Sequence, residues 1–179
     1  MPARIWKFAL FMFFLPCLIF AQAATSLAHE IRPAVATLTL EADGRYEIAI
    51  VVNMEAIVAG VSPEHRDTDE SPNARDYNRL RAHAPEALRK VSEADATRYL
   101  EGIELQFDGT RVRPALSGLE IPPVGDVALS RQTTVRLGGA LPAAAKTLTF
   151  SYAKRFGSCV VRVREGERLD AMWLKNGER

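Results

Sequence analysis

The chain has 179 residues, 47% of them apolar and 25% charged, with a formal net charge of +1. That apolar content suffices for one real core and points to a single globular domain. No basic face or tail stands out to hold a nucleic acid, and no acidic run is long enough to act as a solvating tail.

The first 28 residues differ from the rest. Arg4 and Lys7 give a positive start, residues 8–21 form an apolar run, small residues follow, and no acid precedes Glu30. This is the three-part pattern of a secretory signal peptide. The run is short for a membrane span and contains Pro16. Its removal takes Arg4 and Lys7 from the 23 basic residues and none of the 22 acidic ones, leaving a net charge of −1. The expected location is the periplasm or the exterior of a bacterial cell. Cys17 leaves with the signal and Cys159 stays, so no internal disulfide forms in that oxidising compartment. Two cuts fit: after Ala23, following "AQA", or after Ala28, following "SLA". The second makes His29 the mature N-terminus and residues 29–179 one exported domain.

Residues 35–53 predict a β-hairpin. Ala36, Leu38 and Leu40 alternate with Val35, Thr37 and Thr39; beyond Asp43-Gly44, Tyr46, Ile48, Ile50 and Val52 alternate with Glu47, Ala49 and Val51. "EAIVAG" reads as a short helical turn or a bent strand end. Residues 62–70 are polar and proline-containing, a loop. Ser71-Pro72 reads as an N-cap with proline at the first helical position. A first helix through Tyr77 and Leu80 and a second from Pro85, closed by Gly102, make a two-helix insertion over about residues 71–102. Strands resume at Ile103, Leu105 and Phe107, with a second hairpin signal at Asp108-Gly109. Further strands are expected around residues 133–137, 148–152, 159–163 and 171–174, with a proline-rich connection at "LEIPPVGD". Seven or eight short strands without a βαβ rhythm predict a mainly β fold: an antiparallel, immunoglobulin-like β-sandwich carrying the helical insertion.

Candidate chemistry is sparse. His29-Glu30 opens like a zinc-protease motif, but the fifth position is Pro33, where a second histidine is needed. What remains is an amine–imidazole chelate if His29 is the mature N-terminus, a pair suited to nickel, copper or zinc. His65, Asp67, Asp69 and Glu70 share one loop. Asp67, Asp69, Ser71 and Asn73 imitate the first ligands of a calcium loop, but Pro72 replaces its glycine and Asn78 its closing glutamate. Acids ahead of a helix also serve simply to satisfy free amides. His29, Glu30, His65, Asp67 and Asp69 are therefore the candidate metal ligands. Cys159 alternates with Val161 and Val163 and reads as a buried core thiol, and His83 as a surface residue. No phosphate loop, dinucleotide fingerprint, nucleophile elbow or paired-cysteine box occurs, so no catalytic residue and no small-molecule substrate are assigned.

"AHEIRPAVATLTL", "NMEAIVAG", "DTDESPNARDYNRLRA", "GLEIPPVGD" and "FGSCVVRV" followed by "WLKNGE" together resemble the extracytoplasmic N-terminal domain of HupE/UreJ-type membrane proteins, which are similar to nickel/cobalt permeases. The resemblance covers most of residues 28–178. It implies cleavage between Ala28 and His29, and metal handling at the envelope with a membrane permease-like partner. The layout of an N-terminal histidine on a small exported sandwich is also similar to that of CopC-like copper proteins. The chain ends at Arg179, where the family continues into membrane helices, which leaves a stand-alone version, a truncated product or half of a split pair. The expectation is a non-enzymatic accessory to nickel, cobalt or copper handling. The alternative is an interaction or structural module of an envelope complex, without a metal ligand.

Overall fold

A computed structural model describes residues 32–65, 67–175 and 177–179. The expected signal peptide, both cleavage points, His29 and Glu30 lie outside the described residues.

The fold is mainly β, with nine strands and four helices among the described residues. The predicted hairpin is β1 (Ala34–Leu40) and β2 (Arg45–Val52), paired from Val35–Val51 to Leu40–Tyr46. Its alternation is what burial demands: Ala36, Leu38, Ile48 and Ile50 are fully buried, while their sequence neighbours face outward. After it come α1 (Met54–Ala59), α2 (Ala74–Arg81), α3 (Pro85–Ala94) and α4 (Ala96–Leu100), then β3 (Ile103–Phe107), β4 (Thr110–Val112), β5 (Ala115–Glu120), β6 (Thr133–Ala140), β7 (Leu148–Tyr152), β8 (Cys159–Glu165) and β9 (Arg168–Leu174).

Six strands form one sheet in the order β5-β6-β2-β1-β8-β9, and three form a second in the order β4-β3-β7. The two sheets feed one core. Leu38, Ile48, Val135 and Leu137 from the larger join Leu105, Phe107, Phe150 and Tyr152 from the smaller, and the Tyr46 and Phe107 rings meet at 5.5 Å. Burying each such side chain contributes about 1.5–3 kcal/mol.

Of the two readings of "EAIVAG", the structure takes the short helical one: it is α1, where the Asn53 side chain accepts from the Ala56 amide and Gly60 closes the helix at φ +70°. Three expectations need correction, at β1, in the region 71–102 and at Ser71. The large sheet is not wholly antiparallel, because β1 pairs parallel with β8 from Ala34–Cys159 to Leu40–Glu165. After β7 the chain makes a 3-10 turn at Lys154–Phe156 and enters β8 beside the start of β1, so both strands set out from the same end. The region 71–102 holds three helices rather than two. The chain breaks at Asp95, whose carboxylate takes both Nε and Nη2 of Arg98 at 2.7 and 2.6 Å. Finally, Ser71 does not cap α2. Its hydroxyl accepts from the Asn73 amide, a turn two residues before the helix, and α2 begins at Ala74.

Pro85 does open α3 and Asp108-Gly109 does turn β3 into β4, with φ of +47° and +76° as a two-residue hairpin requires. Strand β5 has no counterpart in the sequence-based set. "ALSGLE" alternates weakly, and its pairing with β6 slips between Leu116 and Gly118.

Candidate functional site

The larger sheet has two ends. At one lie the start of β1, the end of β2 with α1 beyond it, the β5–β6 connection, the start of β8 and the end of β9. The predicted ligands His65, Asp67 and Asp69 sit at this end, on the loop between α1 and α2.

His65 is half-buried, and its amide donates to the Ser62 carbonyl at 3.3 Å. Asp67 accepts from the Asp69 amide at 2.9 Å and starts a 3-10 turn over Thr68–Glu70. Asp69 is exposed and accepts from the Asn78 amide group at 3.4 Å. The two aspartates thus organise their own loop. Among the described residues no three of His, Cys, Asp or Glu are grouped to hold a metal ion. His65, Asp67 and Asp69 therefore do not make a donor set by themselves.

A Cβ on Gly157 would lie 3.0 Å from the Pro63 ring, so this loop rests on the backbone leading into β8. One residue on, the Ser158 carbonyl accepts from the Ala34 amide at 3.0 Å. The lead into β1 and the loop carrying His65 are thus anchored to adjacent residues. His29 precedes Ala34 by five residues, a reach of about 17 Å when extended.

The same end holds a buried polar centre that the sequence did not reveal. Glu55, in the first turn of α1, is fully buried, and Arg131, just ahead of β6, is 8% exposed in its side chain. Arg131 Nε meets Glu55 Oε1 at 2.7 Å, and its Nη1 donates to the carbonyls of His83 at 3.1 Å and Pro122 at 3.3 Å. One guanidinium therefore ties together α1, the α2–α3 turn, the proline-rich connection and the lead into β6. His83, expected on the surface, is half-buried and contributes its carbonyl rather than its imidazole. Glu55 Oε2, Arg131 Nη2 and the Thr133 hydroxyl are buried without a partner among the described residues. The signal was present in principle, since glutamate in an otherwise apolar stretch, "MEAIVA", must find a cation when buried. Its partner 76 residues away was not legible.

A second polar chain runs alongside. Asn53, besides capping α1, donates from Nδ2 to the Tyr77 hydroxyl at 2.8 Å. The Arg81 guanidinium lies 5.0 Å from the Tyr77 ring centre and donates to Asn78, which donates in turn to Asp69. Burial pushes the Tyr77 phenol above its ordinary value, against the opposing hydrogen bond from Asn53. Of the predicted ligands, Asp69 joins this network through Asn78.

Cys159 is fully buried, and burial pushes its thiol up to about 11, so it stays protonated at neutral pH and is no nucleophile. The Tyr99 and Tyr152 hydroxyls face each other at 3.3 Å, both raised by burial. A cavity of about 630 Å³ opens at the opposite end of the strands, bordered by Glu41, Lys146, Arg164 and Glu165, away from every predicted ligand. Among the described residues no helix is long and apolar enough to cross a membrane.

No protein-family model matches the chain, and a search of curated proteins finds no relative.

Proposed function

We propose that this is an exported, non-enzymatic β-sandwich of immunoglobulin-like build that serves envelope handling of nickel, cobalt or copper. It acts beside a membrane permease-like partner. In this reading the signal is cut after Ala28. The free amine and imidazole of His29, with Glu30, meet the His65–Asp69 loop to hold the ion. The observation that supports the reading is the shared anchorage, Ala34 on Ser158 and Pro63 beside Gly157, since the five residues back from Ala34 to His29 can span about 17 Å. The donor types also suit these ions, with imidazole and amine nitrogens for nickel or copper and carboxylates completing the shell.

Two measurements test it. Intact mass of the exported protein should correspond to a chain beginning at His29. Calorimetric titration with nickel, cobalt and copper at neutral pH should then give binding tighter than millimolar, lost in His29→Ala and weakened at least tenfold in His65→Ala. Binding that survives His29→Ala removes the chelate, and no binding at all removes the metal reading.

A second reading, an interaction module of an envelope complex without a metal, is favoured by one specific feature. The β5–β6 connection leaves Val124, Val127 and Leu129 41%, 52% and 57% exposed at the ligand-bearing end. Apolar groups gathered on one loop are a common sign of a partner surface.

A further inference from the structure

The sheet edges differ, and the difference points outward. Strand β4 is three residues long and is soon followed by Pro114. Strand β5 is bulged between Leu116 and Gly118 and bounded by Pro114 and Pro122. Both carry the usual features that stop an edge from recruiting another strand. Strand β9 is neither short, bulged nor interrupted by proline, and its two charges, Arg168 and Asp170, pair with each other at 2.8 Å. It runs seven residues in unbroken register with β8, from Arg168–Glu165 to Leu174–Cys159, and contains no proline, glycine or lysine. Among the described residues it is the last strand of its sheet, so one row of its main-chain donors and acceptors faces away from the described strands. Leu169, Met172 and Trp173 are 50%, 61% and 54% exposed.

We propose that β9 pairs antiparallel with β9 of a second copy of this chain, about a two-fold axis through Ala171, to make one continuous sheet. An unmet main-chain row calls for a strand, and the side chains specify which strand. A two-fold axis normal to the sheet keeps each face together, so inward residues can oppose only inward residues and outward only outward. Centring on Ala171 engages all seven residues. It sets Leu169 against Trp173 of the second copy, Asp170 against Met172, Arg168 against Leu174, and the two small Ala171 side chains against each other. No like charges meet. Centring on Asp170 instead would set two carboxylates face to face, and centring on Met172 would leave Arg168 and Leu169 unpaired. The same flank holds an apolar groove of about 300 Å³, lined by Phe150, Val161, Met172 and Leu174, beside which the second copy's Met172 would lie. A two-fold contact of this kind closes on itself, and the bulged β5 edge offers no site for further growth. The inference does not depend on metal binding.

Sedimentation velocity over a micromolar concentration range tests it, with three variants at exposed β9 positions. The parent protein should pass from monomer to dimer, without higher species. Ala171→Asp should weaken dimerisation at least tenfold. Ala171→Cys should cross-link to itself under mild oxidation, because opposed strand residues stand about 4.5–5.5 Å apart between Cα atoms, within disulfide reach. Leu169→Cys, displaced from its counterpart along the strands, should not. Cys159 is buried and stays out of the reaction. A monomer at every concentration overturns the proposal, as does a dimer indifferent to Ala171→Asp. Cross-linking at 169 in preference to 171 overturns the register.

Discussion

The six-stranded sheet and the helical layer are stabilised in different ways. In the sheet, many apolar side chains share the burden: Ala36, Leu38, Ile48, Ile50, Val135 and Leu137 are all at most 1% exposed and pack into one core with the smaller sheet. The helices lend Met54, Ile57 and Tyr99 to that core and add a small satellite cluster of Ala56, Val61 and Tyr77, and buried polar anchors join them to their surroundings: Arg131 on Glu55, Asn53 on Tyr77 and Arg98 on the Ile57 carbonyl. Distributed apolar burial degrades gradually when one group is removed. A buried ion pair fails abruptly, because removing one partner leaves the other charged and out of water.

The strongest way to break this contrast is Arg131→Ala. It strands the Glu55 carboxylate and should cost about 3–5 kcal/mol in urea unfolding. Hydrogen exchange should show α1–α3 amides losing protection before those of β1 and β2. Replacing both partners, Glu55→Leu with Arg131→Met, should recover most of the loss. A single variant costing under about 1 kcal/mol would show the pair to be incidental. Next comes Leu38→Ala in the sheet core, expected at about 3 kcal/mol. Here protection should fall everywhere together, since the core belongs to both sheets. A loss confined to the helices would erase the distinction.

A smaller effect is expected at the joint between the two regions. Gly102 follows α4 where a Cβ would overlap the Phe156 ring, so Gly102→Ala should cost about 1–3 kcal/mol by overpacking. Differential scanning calorimetry would measure it, and an unchanged Tm would mean that the ring moves aside freely. Tyr77→Phe removes the acceptor of Asn53 Nδ2 and should cost about 1–2 kcal/mol, felt mainly as weaker helix protection.

The smallest effect concerns acid. The Asp108 carboxyl is held below its ordinary value by the Thr147 hydroxyl and by the amides of Thr147 and Lys146. A depressed folded pKa means that its contribution is complete above the ordinary value of 3.8 and is lost as pH falls through the lower folded value. Thermal unfolding of Asp108→Asn should therefore be less stable than the parent near neutrality, and the gap should close in that acid window. A gap constant with pH would assign the effect to the turn backbone instead.

Much of the sheet was legible because strand alternation is a local record of burial. Tyr46, Ile48, Ile50 and Val52 announce one buried face, and Asp108-Gly109 announces a turn, without knowledge of any partner strand. The helical layer was half legible. Pro85 and Gly102 marked boundaries, but the break at Asp95 depends on where Arg98 reaches, and α1 depends on Asn53 finding both an amide and Tyr77. Strand β5 escaped notice because an edge strand buries little and so needs little alternation.

The predicted ligand loop was visible as composition, with its acids engaged much as residues ahead of a helix are. Its spatial relation to the lead into β1 was not visible, because that rests on Gly157 and Ser158, about ninety residues further along the chain. By itself the sequence determined the strongly alternating strands, the Asp-Gly turns and the buried thiol at Cys159, since each follows from forces acting over a few residues. Only the tertiary structure decided the parallel partner of β1, the pairing of Glu55 with Arg131 and the place of β9 at the edge of the described sheet. These depend on which distant segments meet, and apolar periodicity encodes which face is buried but not what it is buried against.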